Sequence, residues 1–327
     1  MKKPDKESSS ELDARRYYLS RMALAWGTLS LSSTPAAQQT DDSPLDFGFI
    51  KHPPGELYSL GRHRLHSLCV GDGDVTVLFE PGLGGSALEW LPIAESISSK
   101  VRACVYDRAG YAWSDPGSNP RHVVLLAREA KQLLRELKTD KNLILVGHSY
   151  GGLIMRQLAS IMPGSVIGLI LVDASHEDQF TRLAGESRVS MLPTSNNFVV
   201  SAPELPAGLR NDIKRKILAL SRTRKTYAAL HAEIESFRDS CDYLKNHRET
   251  FDFPVQIISR GLDPYANDDS AGNKNKIWHE LQSEFLSLSA KAEQIIADNS
   301  GHHVHVDRPE LIEAAIEKIL MMHGDVK

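Results

Sequence analysis

A serine hydroxyl is a poor nucleophile until a base takes its proton and donors receive the oxyanion it creates. Ser149 stands in a segment suited to that chemistry, Gly147-His148-Ser149-Tyr150-Gly151, a Gly-x-Ser-x-Gly pentapeptide. Four apolar residues, Leu143 to Val146, precede it and read as a buried strand; Leu153, Ile154, Gln157 and Leu158 follow at helix spacing. A strand that turns sharply into a helix holds its turn residue in a strained conformation, and glycines on both sides let strand and helix pass closely. The hydroxyl is then presented at the strand end, beside the free N–H groups and positive potential of a helix N-terminus. The pentapeptide also occurs in ordinary glycine turns, so the strand-before, helix-after setting is what gives it mechanical meaning.

Such a serine needs a base and a carboxylate. Three histidines, His302, His303 and His305, follow a turn at Asp298 to Gly301. Asp173 and Asp263 each lie just after an apolar run, and Asp268 and Asp269 lie further along the second loop. Three close histidines invite a metal reading, but no Cys or Glu sits at ligand spacing, so no metal is expected. Pro81 to Ser86 is a glycine-rich loop after a strand, able to cradle an anion with its N–H groups. It lacks the Gly-x-Gly-x-x-Gly of a dinucleotide site, and no cofactor is expected.

The elements that must position these groups alternate. A hairpin is expected from Leu57 to Leu60 and His63 to Val70, then strands Val75 to Glu80 and Val101 to Tyr106. A helix through Leu88, Trp90, Leu91 and Ile97 falls between the last two, and another spans about 121 to 138. Ile167 to Val172, Pro254 to Ser259 and Ala292 to Ala297 read as further strands, and Pro309 to Met321 as a closing helix. Strands alternating with helices mean an α/β protein with a mostly parallel sheet covered on both faces.

Together these segments resemble the α/β-hydrolase superfamily, in its serine-nucleophile, esterase- or lipase-like branch. The carriers are Pro81 to Ser86, Tyr106 to Asp115, Gly147 to Gly151, Leu171 to Gln179 and Ser300 to His305. The resemblance implies an eight-stranded sheet, ligands at the carboxyl ends of its strands, and a helical lid inserted after strand six. Residues 46–175 and 251–327 then form the core, and 176–250 the lid. It implies Ser149 as nucleophile, His302 as base and Asp263 as acid, in the hydrolase chain order. Asp173 is the alternative acid, because a few relatives use the position after the sixth strand; otherwise it caps the following turn. The implied oxyanion donors are the backbone N–H groups of Leu83 and Tyr150. His302 would take the Ser149 proton as the hydroxyl attacks an acyl carbon, and water would release the acyl-enzyme. Cleavage of an ester-type bond in a small, hydrophobic molecule is the implied activity. Serine at the elbow argues against haloalkane dehalogenase and epoxide hydrolase chemistry, for which this superfamily uses a carboxylate nucleophile. A small-molecule receptor and a cofactor-free perhydrolase are the alternatives.

The middle of the chain suits a lid. Glu177 to Ser190 is expected to be helical, Met191 to Gly208 a proline-bearing loop, and Leu209 to Leu220 and Arg222 to Asn246 helices. A helical cover over a strand-end pocket would exclude water and shape the site. The first 45 residues differ from the rest. Residues 1–13 are charged and serine-rich, and Arg15-Arg16-Tyr17-Tyr18-Leu19 precedes an uncharged stretch from Met22 to Gln39. This resembles a twin-arginine export signal, implying a periplasmic protein; a cytoplasmic protein with a disordered tail is the alternative. A net charge of −4 offers nothing for nucleic acid, and no apolar run is long enough to span a bilayer. Cys69, Cys104 and Cys241 make neither a disulfide framework nor a zinc pattern; Cys69 and Cys104, on neighbouring strands, are expected as buried free thiols, with a disulfide the alternative if the protein is exported.

Overall fold

Apolar runs without polar alternation belong to strands covered on both faces. The computed structural model, which describes residues 48–183, 205–264, 266 and 273–324, places those runs in the middle of one sheet. Its strands are β1 (Glu56–Ser59), β2 (Arg64–Val70), β3 (Thr76–Glu80), β4 (Arg102–Tyr106), β5 (Leu143–His148), β6 (Val166–Val172), β7 (Val255–Arg260) and β8 (Ala292–Ala297). They lie in the order β1-β2-β4-β3-β5-β6-β7-β8. β2 runs antiparallel to both neighbours, and every pairing from β4 to β8 is parallel. β3, β5 and β7 are buried along their whole length.

The two faces separate with period two, as strand geometry requires. Val77, Phe79, Ala103, Val105, Ile144 and Val146 point to one face, where α1 (Leu91–Ile97) and the C-terminal helix Pro309–Gly324 pack. Leu78, Cys104, Leu143, Leu145, Leu169 and Leu171 point to the other, covered by α2 (Val123–Glu136) and α3 (Tyr150–Ile161).

Between β6 and β7 the chain leaves the sheet. A single helical turn, Gln179–Arg182, is the described part of the helix expected over Glu177 to Ser190; residues 184–204, with most of the expected loop, lie outside the described residues. α4 (Asn211–Ser221) and α5 (Arg224–Asn246) follow. α4 buries Ile213, Ile217 and Leu220 with Leu209 against Leu88, Ala112 and Trp113. α5 starts at Thr223, whose hydroxyl accepts the Thr226 N–H. After β7 comes α6 (Lys274–Glu284); the C-terminal helix is α7. None of the helices among the described residues is long and apolar enough to cross a membrane. The N-terminal segment with its paired arginines lies outside the described residues.

One expectation fails within the sheet. Cys69 and Cys104 are a disulfide, not free thiols. They are direct partners in the β2–β4 register, with Cα atoms 4.1 Å apart. Opposite residues on antiparallel strands come that close only in the non-hydrogen-bonded pairs. Cys241 is free and buried.

Candidate active site

β5 ends at His148, and the next residue turns the chain. Ser149 has φ +51° and ψ −122°, sparsely populated for a residue with a Cβ. The glycines make the turn possible: a Cβ on Gly147 would come within 2.6 Å of Gly151 O, and one on Gly151 within 2.5 Å of Glu80 O. Hydrogen bonds to the end of β6 and to the loop that follows it fix the turn. Ser149 N–H donates to Val172 O at 3.1 Å, and Ser175 N–H donates to Ser149 O at 2.9 Å. Tyr150 is the first residue of α3, so its N–H has no acceptor within the helix.

His302 follows the turn after β8. Its Nδ1–H donates to Asp173 Oδ2 at 2.6 Å. Asp173 is fully buried and takes three further bonds: from Arg260 N–H at 3.2 Å, Arg260 Nη1 at 3.1 Å and Trp278 Nε1 at 2.7 Å. Burial pushes this carboxyl up, but the Arg260 guanidinium and the His302 and Trp278 donors outweigh it and hold it at about 2. The group at His302 is therefore an ionised carboxylate at neutral pH.

The carboxylate beside His302 is not the expected one, Asp263. Asp263 is exposed, and Asp173 holds the Nδ1 edge of His302. The reason lies in the backbone after β7. Gly261 N–H and Leu262 N–H both donate to Ser300 O, tying this stretch to the turn after β8 and leaving residue 263 at the surface. Asp173 sits one residue beyond Val172, the acceptor of the Ser149 N–H, and is thereby close to the elbow by construction.

Sequence reasoning missed the supports. Arg260 and Trp278 come from β7 and α6 to meet the Asp173 carboxylate; an arginine at a strand end was the one available signal. His148, the residue before the serine, donates from Nε2 to His302 O at 2.8 Å and so pins the backbone of the base. Burial, then the neighbouring histidines, hold His148 well below the ordinary imidazole value and bring His303 down to about 2. Both stay neutral beside His302.

The glycine-rich loop lies against the elbow. A Cβ on Gly82 would be 3.0 Å from His148 Nδ1 and 3.2 Å from Ser149 Cβ. The following residue, Leu83, is half-buried against the core. Beneath the loop is a charge cluster. Arg108 Nη1 donates to Pro81 O at 2.7 Å and to Glu80 Oε1 at 2.6 Å, and Nη2 donates to Gly82 O at 2.8 Å. Glu233 of α5 accepts from Arg108 Nε and Nη2 at 2.9 and 3.0 Å. Burial pushes Glu80 up to about 7 against the pull of Arg108. Between the loop and α4 is a small hollow lined by Gly84, Ser86, Tyr111, Ala112, Ile217 and Leu220.

One group among the described residues has metal-ligand geometry: His176, Asp178 and Glu284. Cations already face it. Lys245 Nζ donates to Asp178 at 2.6 Å, Arg182 to Glu284, and Arg248 lies 3.3 Å from His176 Nε2. A divalent ion there would meet a site already neutralised.

Residues 75–309 match the family model of the alpha/beta hydrolase fold. The uncharacterized protein YqjL of Bacillus subtilis is 25% identical over 248 residues, covering 75% of this chain and 83% of that protein. An AB hydrolase superfamily protein of Gibberella zeae is 24% identical over 282 residues, covering 75% of this chain and 86% of that protein. Among solved structures, a Vigna radiata epoxide hydrolase mutant aligns with a TM-score of 0.63 at 17% identity, over 82% of this chain and 98% of that one.

Proposed function

The chain belongs to the α/β-hydrolase family, and on that premise we propose that it is a serine hydrolase that cleaves the ester-type bond of a small, hydrophobic substrate through an acyl-enzyme. Ser149 is the nucleophile, His302 the general base and Asp173 the acid. The observation that carries the reading is the buried Asp173 carboxylate 2.6 Å from His302 Nδ1. That bond leaves the other ring nitrogen, Nε2, to take the serine proton. Asp173 keeps the imidazole in the needed tautomer and stabilises its charged form. Such proton transfer contributes about 10²–10⁴ in rate. The Tyr150 N–H and Leu83 N–H receive the oxyanion, each worth about 2.7–4 kcal/mol. Water, activated by His302, then releases the acyl group.

Ser149 separates this chain from the chemistry named for the epoxide hydrolase it resembles in fold, for which the superfamily uses a carboxylate at the elbow. The apolar side chains of Ile217 and Leu220 beside the glycine-rich loop favour a hydrophobic substrate. The test is labelling by a fluorophosphonate together with turnover of a panel of p-nitrophenyl esters. Both are expected in the wild-type protein and neither in Ser149→Ala or His302→Ala. Tight ligand binding without labelling or turnover would identify a receptor instead, and full activity in Ser149→Ala would rule out the covalent route.

The reading extends to location. We propose export through the segment that carries Arg15 and Arg16. The Cys69–Cys104 disulfide supports it, because such bonds persist in oxidising compartments.

A further inference from the structure

Glu233 is a fully buried carboxylate on a lid helix, and acyl transfer itself has no use for it. It binds one edge of the Arg108 guanidinium, and Tyr111 donates to the same carboxylate at 2.9 Å. The rest of the guanidinium holds the Glu80 carboxylate and two consecutive carbonyls of the glycine-rich loop, Pro81 O and Gly82 O. One rigid, planar cation thus joins the lid to the loop, a role that a single-point ammonium could not fill. Stability alone does not account for the arrangement, since a buried ion pair gains little over apolar packing of the same volume.

The consequence follows from peptide planarity. In a trans peptide the carbonyl and the N–H point to opposite edges. Gly82 O is held by Arg108 and by Gly85 N–H, so the Leu83 N–H lies on the edge away from the guanidinium. The same loop residue, Gly82, abuts Ser149. The glycines at 82, 84 and 85 bring no side chains to lock this stretch, so its orientation depends on what binds its carbonyls.

We propose that Arg108, clamped by Glu233 of α5, is a positioning residue that aims the Leu83 N–H at the developing oxyanion and makes docking of the lid helix a condition of turnover. The inference rests on the acyl-transfer reading above.

The test compares Glu233→Gln and Arg108→Lys with the wild-type full chain. Hydrolysis of p-nitrophenyl butyrate gives kcat and KM, and exhaustive fluorophosphonate labelling counts competent sites. An alkyl boronic acid reports affinity for a tetrahedral adduct. Removing an oxyanion donor costs about 10²–10³ in kcat, so a loosened one is expected to cost roughly 10-fold in Glu233→Gln and on the order of 10²-fold in Arg108→Lys. KM should move less than about threefold, because the donor acts in the transition state. Boronate affinity should fall in step with kcat. A merely structural role would lower Tm and the labelled fraction but leave kcat per labelled site at the wild-type value, and that result overturns the proposal. If Arg108→Lys does not fold, Glu233→Gln, which keeps the size of the side chain, decides alone. Lys245→Ala removes the pair that ties α5 to Asp178 and should keep the wild-type kcat. A wild-type protein that neither labels nor turns over would instead sink the acyl-transfer reading, and this inference with it.

Discussion

Asp173→Asn is a small change with a large expected effect. All four groups on this carboxylate are donors: His302 Nδ1 and Arg260 Nη1 on Oδ2, and Trp278 Nε1 and Arg260 N–H on Oδ1. Asparagine offers one acceptor oxygen and an NH₂ that donates. With the NH₂ toward His302, the imidazole must accept at Nδ1 and carry its proton on Nε2, where it cannot receive one from Ser149. With the NH₂ toward Trp278, two buried donors face each other. Against the upward push of burial, Arg260, His302 and Trp278 hold this carboxyl at about 2, below its ordinary 3.8, because they favour the charged form, which asparagine cannot supply. Holding a triad histidine in the wrong tautomer costs on the order of 10⁴ in kcat, about 5 kcal/mol of barrier. Asp173→Asn is therefore expected to lose roughly that factor, with KM little changed. Asp263→Asn, an exposed substitution, should stay within about twofold. Initial rates on a p-nitrophenyl ester, normalised to folded protein by circular dichroism, compare the two. A large loss in Asp263→Asn with activity retained in Asp173→Asn would refute the assignment of the acid and the tautomer argument together.

Four further outcomes are expected. Gly151→Ala puts a Cβ 2.5 Å from Glu80 O and 2.7 Å from Pro81 O, both backbone; a loss on the order of 2–4 kcal/mol should appear in thermal denaturation, with fluorophosphonate labelling abolished. Asp173 and Glu177 both have folded values near 2, below their ordinary 3.8 and 4.5. Their contribution is complete above the unfolded values and lost as pH falls from about 4.5 to 2, so the urea midpoint should drop across that window; a flat profile would contradict it. Cys69 and Cys104 are 35 residues apart, a loop whose closure is worth about 4 kcal/mol in the chain-entropy account; Cys69→Ser should lower Tm accordingly, and an unchanged Tm would argue against the bridge. Replacing Arg15 and Arg16 with lysine should block export of a reporter fused after residue 45, and a reporter that is never exported by the natural segment would dismiss that idea.

Much of this protein is legible in local pattern. Leu143 to Val146, Val77 to Phe79 and Leu169 to Val172 are apolar without a break because both faces of a central parallel strand are covered. The elbow is legible because a strained turn between a buried strand and a helix tolerates only glycine at its flanks. The boundaries of α4 and α5 come within two residues of the expected helices, since each carries its own apolar stripe or cap.

What local pattern could not decide is which strand end serves the histidine. Asp173 and Asp263 both follow buried strands, β6 and β7, and those strands are neighbours. Either carboxylate satisfies the chain-level rule. The choice was made through space, by Arg260, Trp278 and His302 converging on one carboxylate from three separate elements. The same holds for Cys69 and Cys104, whose bond depends on the register of an antiparallel pair, and for Arg108 and Glu233, 125 positions apart. Periodicity records which face of an element is buried; it carries no information about which distant charge will be waiting there, because that is settled only when the layers pack.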